Sequence, residues 1–159
     1  MANVIYFDLD GTVYPLYNLP NWLEEIHAKH ASIFSHDCAV GNIAEIQCVC
    51  CELKAMGWKI GVITWAPKHV DVYDEFFDEV VQAKRDWVKK WLPMVDDDCF
   101  TVQAYGSFKG RATDCNSSGD KVLIDDNKIC RTEWEEYCEG YYSIDANGDI
   151  VKELTGLLG

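Results

Sequence analysis

Four short, nearly continuous apolar runs constrain the fold more than any other feature of this chain. They are NVIYFDL (3–9), WKIGVIT (58–64), CFTVQAY (99–105) and KVLIDD (121–126). A strand open to water on one face alternates polar and apolar residues. A run without alternation fits a strand covered on both faces, as in a parallel sheet. Helical periodicity fills the intervals. NWLEEIHAKHASIF (21–34) predicts one helix with Asn21 as N-cap and Trp22, Ile26 and Ile33 on its apolar side. NIAEIQCVCCELKAMG (42–57) predicts a second, with Ile46, Val49, Leu53 and Met56 facing the core and Gly57 closing it. VYDEFFDEVVQAKRDWVKKWLP (72–93) holds one long helix or two short ones, stopped by Pro93. The tail reads as a hairpin or turn over 141–151 and then a short helix.

Strands alternating with helices imply an α/β fold built on a parallel sheet. At 159 residues the chain is expected to form one domain. The stretch between the first strand and the second helix, about 14–41, exceeds what a simple crossover needs and is expected to form a small insert over the sheet edge.

Composition narrows the partners. A net charge of −13 opposes binding to extended nucleic acid, because a polyanion is repelled overall, although a local pocket can still take one phosphate. No apolar stretch approaches the ~20 residues of a membrane helix. The N-terminus has no basic region ahead of a signal-like apolar run. The expectation is a cytoplasmic protein without a membrane partner, whose eight cysteines are reduced and mostly buried. DANGD (145–149) fails the calcium-loop spacing at its sixth and twelfth positions and reads as an Asx/Gly turn.

Polar groups gather at the carboxyl ends of the predicted strands. The first ends at Asp8, with Asp10 in the turn that follows; the second ends at Thr64; the fourth ends at Asp125 and Asp126. The loop after the third carries Lys109. Ligands of open parallel sheets bind outside these carboxyl ends, so the residues should converge. Several carboxylates in one pocket require a hard cation, and oxygen ligands suit Mg²⁺. One carboxylate can be a nucleophile and another, two residues on, a general acid and base. A hydroxyl and a lysine would stabilise the oxygens of a transferring phosphoryl group.

DLDGTV, GVIT, a lysine and LIDD, in this order over residues 4–126, resemble the motifs of the haloacid dehalogenase (HAD) superfamily of aspartate-nucleophile phosphatases. YNLPNWLEEI, IGVITWAPK and AKRDWVKKWLP are most similar to short phage and prophage members related to 5'(3')-deoxyribonucleotidases. The resemblance implies a three-layer, Rossmann-like core whose insert is a minimal cap. It implies Asp8 as nucleophile and Mg²⁺ ligand, and Asp10 as general acid/base with its carbonyl on the metal. Thr64 would bind phosphoryl oxygens, and Asp125 and Asp126 would complete the metal site. Either Lys109 or Lys84 would be the phosphate lysine, with Lys109 better placed in the chain; Lys121 starts a strand at the remote end. Trp65 and Tyr14, with Tyr17 and Trp22, would form an aromatic shelf for a base, or else pack the insert onto the sheet.

The expected activity is Mg²⁺-dependent hydrolysis of a small phosphorylated metabolite, with nucleoside monophosphates foremost. A phosphatase of nucleic-acid 3' ends or phosphoproteins is the alternative. A non-catalytic protein on the same scaffold is a third reading, and the complete residue set argues against it.

Overall fold

The computed structural model describes residues 3–159. Five strands, β1 (Val4–Phe7), β2 (Lys59–Trp65), β3 (Phe100–Gln103), β4 (Lys121–Asp125) and β5 (Tyr141–Asp145), form one sheet in the order β3-β2-β1-β4-β5. Every pairing is parallel. The helices are α1 (Trp22–His27), α2 (Ile43–Ala55), α3 (Glu75–Trp91), α4 (Lys128–Tyr137) and α5 (Ile150–Gly156).

The two sheet faces carry separate cores, which makes the architecture three-layered and Rossmann-like. On one face Ile5, Phe7, Ile60, Val62, Val122 and Ile124 pack against residues of α2, α3 and α5. On the other, Val4, Tyr6, Ile63 and Leu123 pack against Trp134 of α4 and Tyr141. β1, β2 and β4 are therefore covered on both sides, which is why their sequences are apolar without alternation.

The structure departs from the sequence-based expectations at several places. The tail contains a fifth parallel strand and no hairpin: β5 pairs with β4 from Lys121↔Tyr141 to Asp125↔Asp145. It is an edge strand, and only its Tyr141 and Ile144 are buried. α4, which leads into it, buries only Cys130 and Trp134, too few residues to show a helical period. The predicted turn is present after β5, where Asp145 accepts from the Asn147 amide.

The helix expected over 21–34 is broken. α1 ends at His27, Lys29 takes a left-handed φ of 59°, and a separate 3₁₀ turn spans Ala31–Phe34. Asn21 is itself left-handed at φ 57° and its side chain caps nothing. Met56 is exposed, whereas Ile46, Val49 and Leu53 are buried as expected. α3 is one helix, capped by the Asp74 carboxylate on the Phe76 amide.

The cysteines also depart from expectation. Cys115 and Cys138 are joined as a disulfide that ties the loop before β4 to the end of α4. Cys48 and Cys51 are exposed thiols on α2, while Cys50 and Cys130 are buried. The bridge spans 23 residues. Closing a loop of that size stabilises by about 3 kcal/mol through the unfolded chain. Reduction should therefore lower the melting temperature by several degrees, read by circular dichroism with and without a phosphine reductant. Among the described residues, no helix is long and apolar enough to cross a membrane.

Candidate active site

The strand order reverses between β1 and β4, and in open sheets the crevice at that reversal is where ligands bind. Asp8 emerges there from β1, with its amide donating to the Ile124 carbonyl at 2.9 Å. Asp125 ends the neighbouring β4. The chain after Asp8 folds into a tight turn in which the amides of Thr12, Val13 and Tyr14 all donate to the Leu9 carbonyl. Gly11 makes this possible. Its φ is +81°, and a Cβ there would lie 2.6 Å from Asp126 Oδ2 and 2.8 Å from the Tyr17 ring.

Carboxylate oxygens of Asp8, Asp125 and Asp126 all lie within 4.8 Å of one another. The Lys109 ammonium donates to Asp8 Oδ1 at 2.9 Å and to Asp125 Oδ2 at 2.6 Å. The Thr12 hydroxyl donates to Asp8 Oδ2 at 3.0 Å. Asp125 is positioned further by the Asn127 amide at 3.0 Å on its other oxygen. The three-aspartate cluster could hold a metal ion.

Asp10 stands apart from that cluster. Its Oδ2 accepts from the Lys84 ammonium at 2.7 Å, and its Oδ1 is buried without a hydrogen-bond partner. Lys84 also donates to Thr64 Oγ1 at 2.8 Å and to the Trp65 carbonyl at 2.9 Å. All three ammonium hydrogens are thereby committed to protein acceptors. Lys84 thus anchors Asp10 and Thr64 and has none left for a phosphate. Lys109 has one left. Sequence spacing cast the two lysines as competitors for one role; in the fold they serve different carboxylates. Lys121 is buried at the far end, donating to the carbonyls of Ser117 and Gly119.

Burial and crowding shift the acids upward. Burial raises the Asp10 carboxyl and outweighs the Lys84 charge that pulls it down. Burial, and then the Asp8 charge, raises Asp125 against the pull of Lys109. Asp126 is pushed up to about 7 by burial and by the charges of Asp8 and Asp125. Burial alone would lower the Lys109 ammonium, but the charges of Asp8 and Asp125 outweigh it and hold it raised.

These shifts have a defined sign in stability. Between about pH 4, the ordinary carboxyl range, and about 7, folded Asp126 keeps a proton that the unfolded chain releases. The native state then binds more protons, so stability falls as pH rises through that window. Metal-free protein in a chelator should lose melting temperature from pH 4 to 7, and a cation held by the three aspartates should flatten the slope by stabilising the ionised cluster.

Above the aspartates lies a cavity of about 480 Å³. Leu16, Tyr17, Trp22, Ile26 and Phe34 of the β1–α2 connection line it, as do Trp65, the last residue of β2, and Tyr105 from the loop after β3. Trp65 is fixed by its indole N–H, which donates to the Ser107 carbonyl at 2.9 Å, and packs 5.0 Å from Tyr105. Neither Thr64 nor Lys84 lines the cavity; both are buried beside it.

Tyr14 does not join this wall. Its hydroxyl donates to the Ile33 carbonyl and accepts from the His36 amide, and its ring makes a T-shaped contact with Trp87. It is a packing residue, as the plainer of the two sequence readings has it. Sequence reasoning missed Tyr105 and Lys68 in the cavity lining. Their position just beyond the carboxyl ends of β3 and β2 is the signal that could have found them.

No family model, curated protein or solved structure matches the chain.

Proposed function

We propose that this protein is a Mg²⁺-dependent phosphomonoester hydrolase of the haloacid dehalogenase type, acting through an aspartyl-phosphate. The observation that carries the reading is the contrast between Asp8 and Asp10. Asp8 is bound by Lys109 and Thr12 beside a cluster able to hold a cation. Asp10 is shifted toward the neutral acid, with one oxygen buried and unpartnered. Two carboxyls with divergent environments at one site suit a nucleophile and a general acid.

The donor set fits the proposed metal. Its three side-chain ligands are carboxylate oxygens, which favour a hard divalent cation, and their mutual repulsion is what such a cation offsets. Asp8, Asp125 and Asp126 would hold Mg²⁺, with the Asp10 carbonyl as a further ligand. When bound, the ion supplies charge neutralisation for the phosphoryl oxygens.

In the first half-reaction an Asp8 carboxylate oxygen attacks phosphorus and the bond to the leaving oxygen breaks. Asp10 gives its proton to the departing alkoxide. In the second, Asp10 takes a proton from water as the water oxygen attacks phosphorus. The Asp8–phosphorus bond breaks, and phosphate leaves with both aspartates restored. The uncommitted hydrogen of Lys109 donates to a phosphoryl oxygen throughout. Lys84 holds Asp10 toward the cavity, and the β1–α2 connection acts as the cap.

The aromatic lining favours a small substrate whose leaving group carries a planar ring, and the base of a nucleoside monophosphate meets that description. The test is phosphate release from an aryl phosphate and a panel of nucleoside monophosphates, with Mg²⁺ present and then chelated. Chelation should reduce turnover at least a hundredfold. Undiminished activity after complete chelation would overturn the metal role.

A further inference from the structure

We infer that the substrate carries a second anionic group on its leaving portion, received at the cavity mouth by Lys68, His69 and His27. This rests on the hydrolase reading of the same cavity. A phosphoryl group occupies roughly twice the ~30 Å³ share of a water molecule. It therefore fills only a small part of about 480 Å³. The remainder is enclosed by aromatic and aliphatic side chains, but three residues in the lining can face an anion: His27 from α1, and Lys68 and His69 from the loop after β2.

Two independent observations mark this rim. The first is charge. In a chain of net charge −13, Lys29, Lys54, Lys59 and Lys90 each bridge an acidic residue. Several other cations bridge none among the described residues, but of these Lys68 alone lines the cavity, whose floor is aspartate. The second is backbone conformation. Pro67–Val70 is a tight turn closed by the Val70 amide on the Pro67 carbonyl, and His69 occupies its third position at φ 67°. A φ in this region is uncommon for any residue other than glycine, although His adopts it more readily than most, and Asn21 and Lys29 share it here. An uncommon backbone conformation in the cavity lining makes His69 a candidate for contact with a ligand. His27 lines the same cavity from a separate element, α1, so the three residues reach it from two parts of the chain.

The shared chemistry is a second phosphate or a carboxylate at the far end of the leaving group. The experiment compares kcat/KM by phosphate release, with Mg²⁺, for two matched pairs. Adenosine 3',5'-bisphosphate is set against adenosine 5'-monophosphate, and 4-carboxyphenyl phosphate against phenyl phosphate. The doubly anionic member of at least one pair should lead by about tenfold, and which pair shows the lead identifies phosphate or carboxylate. Lys68→Ala and His69→Gly should each cut that ratio at least threefold. His69→Gly should also keep or raise the melting temperature, since it relieves the left-handed residue and separates lost contact from lost folding. Equal kcat/KM within both pairs, or a lead that survives both variants, overturns the proposal. Failure to release phosphate from any of the four compounds overturns the hydrolase reading itself, and this proposal with it.

Discussion

Asp8→Asn is expected to reduce hydrolysis of an aryl phosphate by about 10⁴-fold or more, the scale seen when a covalent nucleophile is removed. The substitution is nearly isosteric. The Asn carbonyl can still accept from Lys109, and its amide group takes the place of the oxygen now bonded by Thr12. The melting temperature should therefore stay within a few degrees of the parent. Turnover close to that of the parent would eliminate the aspartyl-phosphate route, and a large loss of stability would make the activity loss uninformative.

Lys109→Met is expected to damage folding and activity together. The ammonium is almost fully buried and bridges Asp8 to Asp125. Methionine preserves most of the side-chain volume and leaves two buried carboxylates without their cation. Removing one partner of a buried ion pair costs about 3–5 kcal/mol. In a chain of this length that lowers the melting temperature by roughly 10 °C. Mg²⁺ should recover part of the loss, because a cation among the three aspartates opposes the same repulsion. Activity should fall by about 10²–10³-fold, as for loss of one donor to a transferring group. A variant whose melting temperature in chelator matches the parent would show that the ion pair does not support the fold.

The sheet centre was readable from sequence because it is buried on both faces. Ile5, Phe7, Ile60, Val62, Val122 and Ile124 of one face interleave with Val4, Tyr6, Ile63 and Leu123 of the other to give apolar runs without alternation. β5 was not readable. At an edge it exposes Tyr142 and Asp145, and its YYSID carries neither a buried run nor a clean alternation. The convergence of Asp8, Asp125 and Asp126 followed from topology alone, since strand ends at the reversal point must meet. The division of labour between Lys84 and Lys109 did not follow. It depends on where α3 and the 3₁₀ turn at Lys109–Ala112 bring each ammonium against the carboxyl ends of the inner strands. Likewise Tyr14 is adjacent to the first motif in sequence, yet the path of the β1–α2 connection turns its hydroxyl toward Ile33 and His36. The Cys115–Cys138 pairing needs the spatial approach of two segments, which spacing does not encode.

The way that connection is fastened decides what sort of enclosure it is. Trp87 of α3 donates its indole hydrogen to the Cys38 carbonyl at 2.8 Å while its ring makes a T-shaped contact with Tyr14. Lys90–Asp37 and Lys29–Asp74 add exposed pairs at either side, each worth little alone. The buried Trp87 contacts are the ones that bind the wall to a seventeen-residue helix. A wall rooted in this way behaves as a standing aperture and not as a door. Selection among molecules that enter the cavity then falls to the fixed outline of the opening, and α3, none of whose residues line the cavity, becomes a place where a change in packing would redraw it.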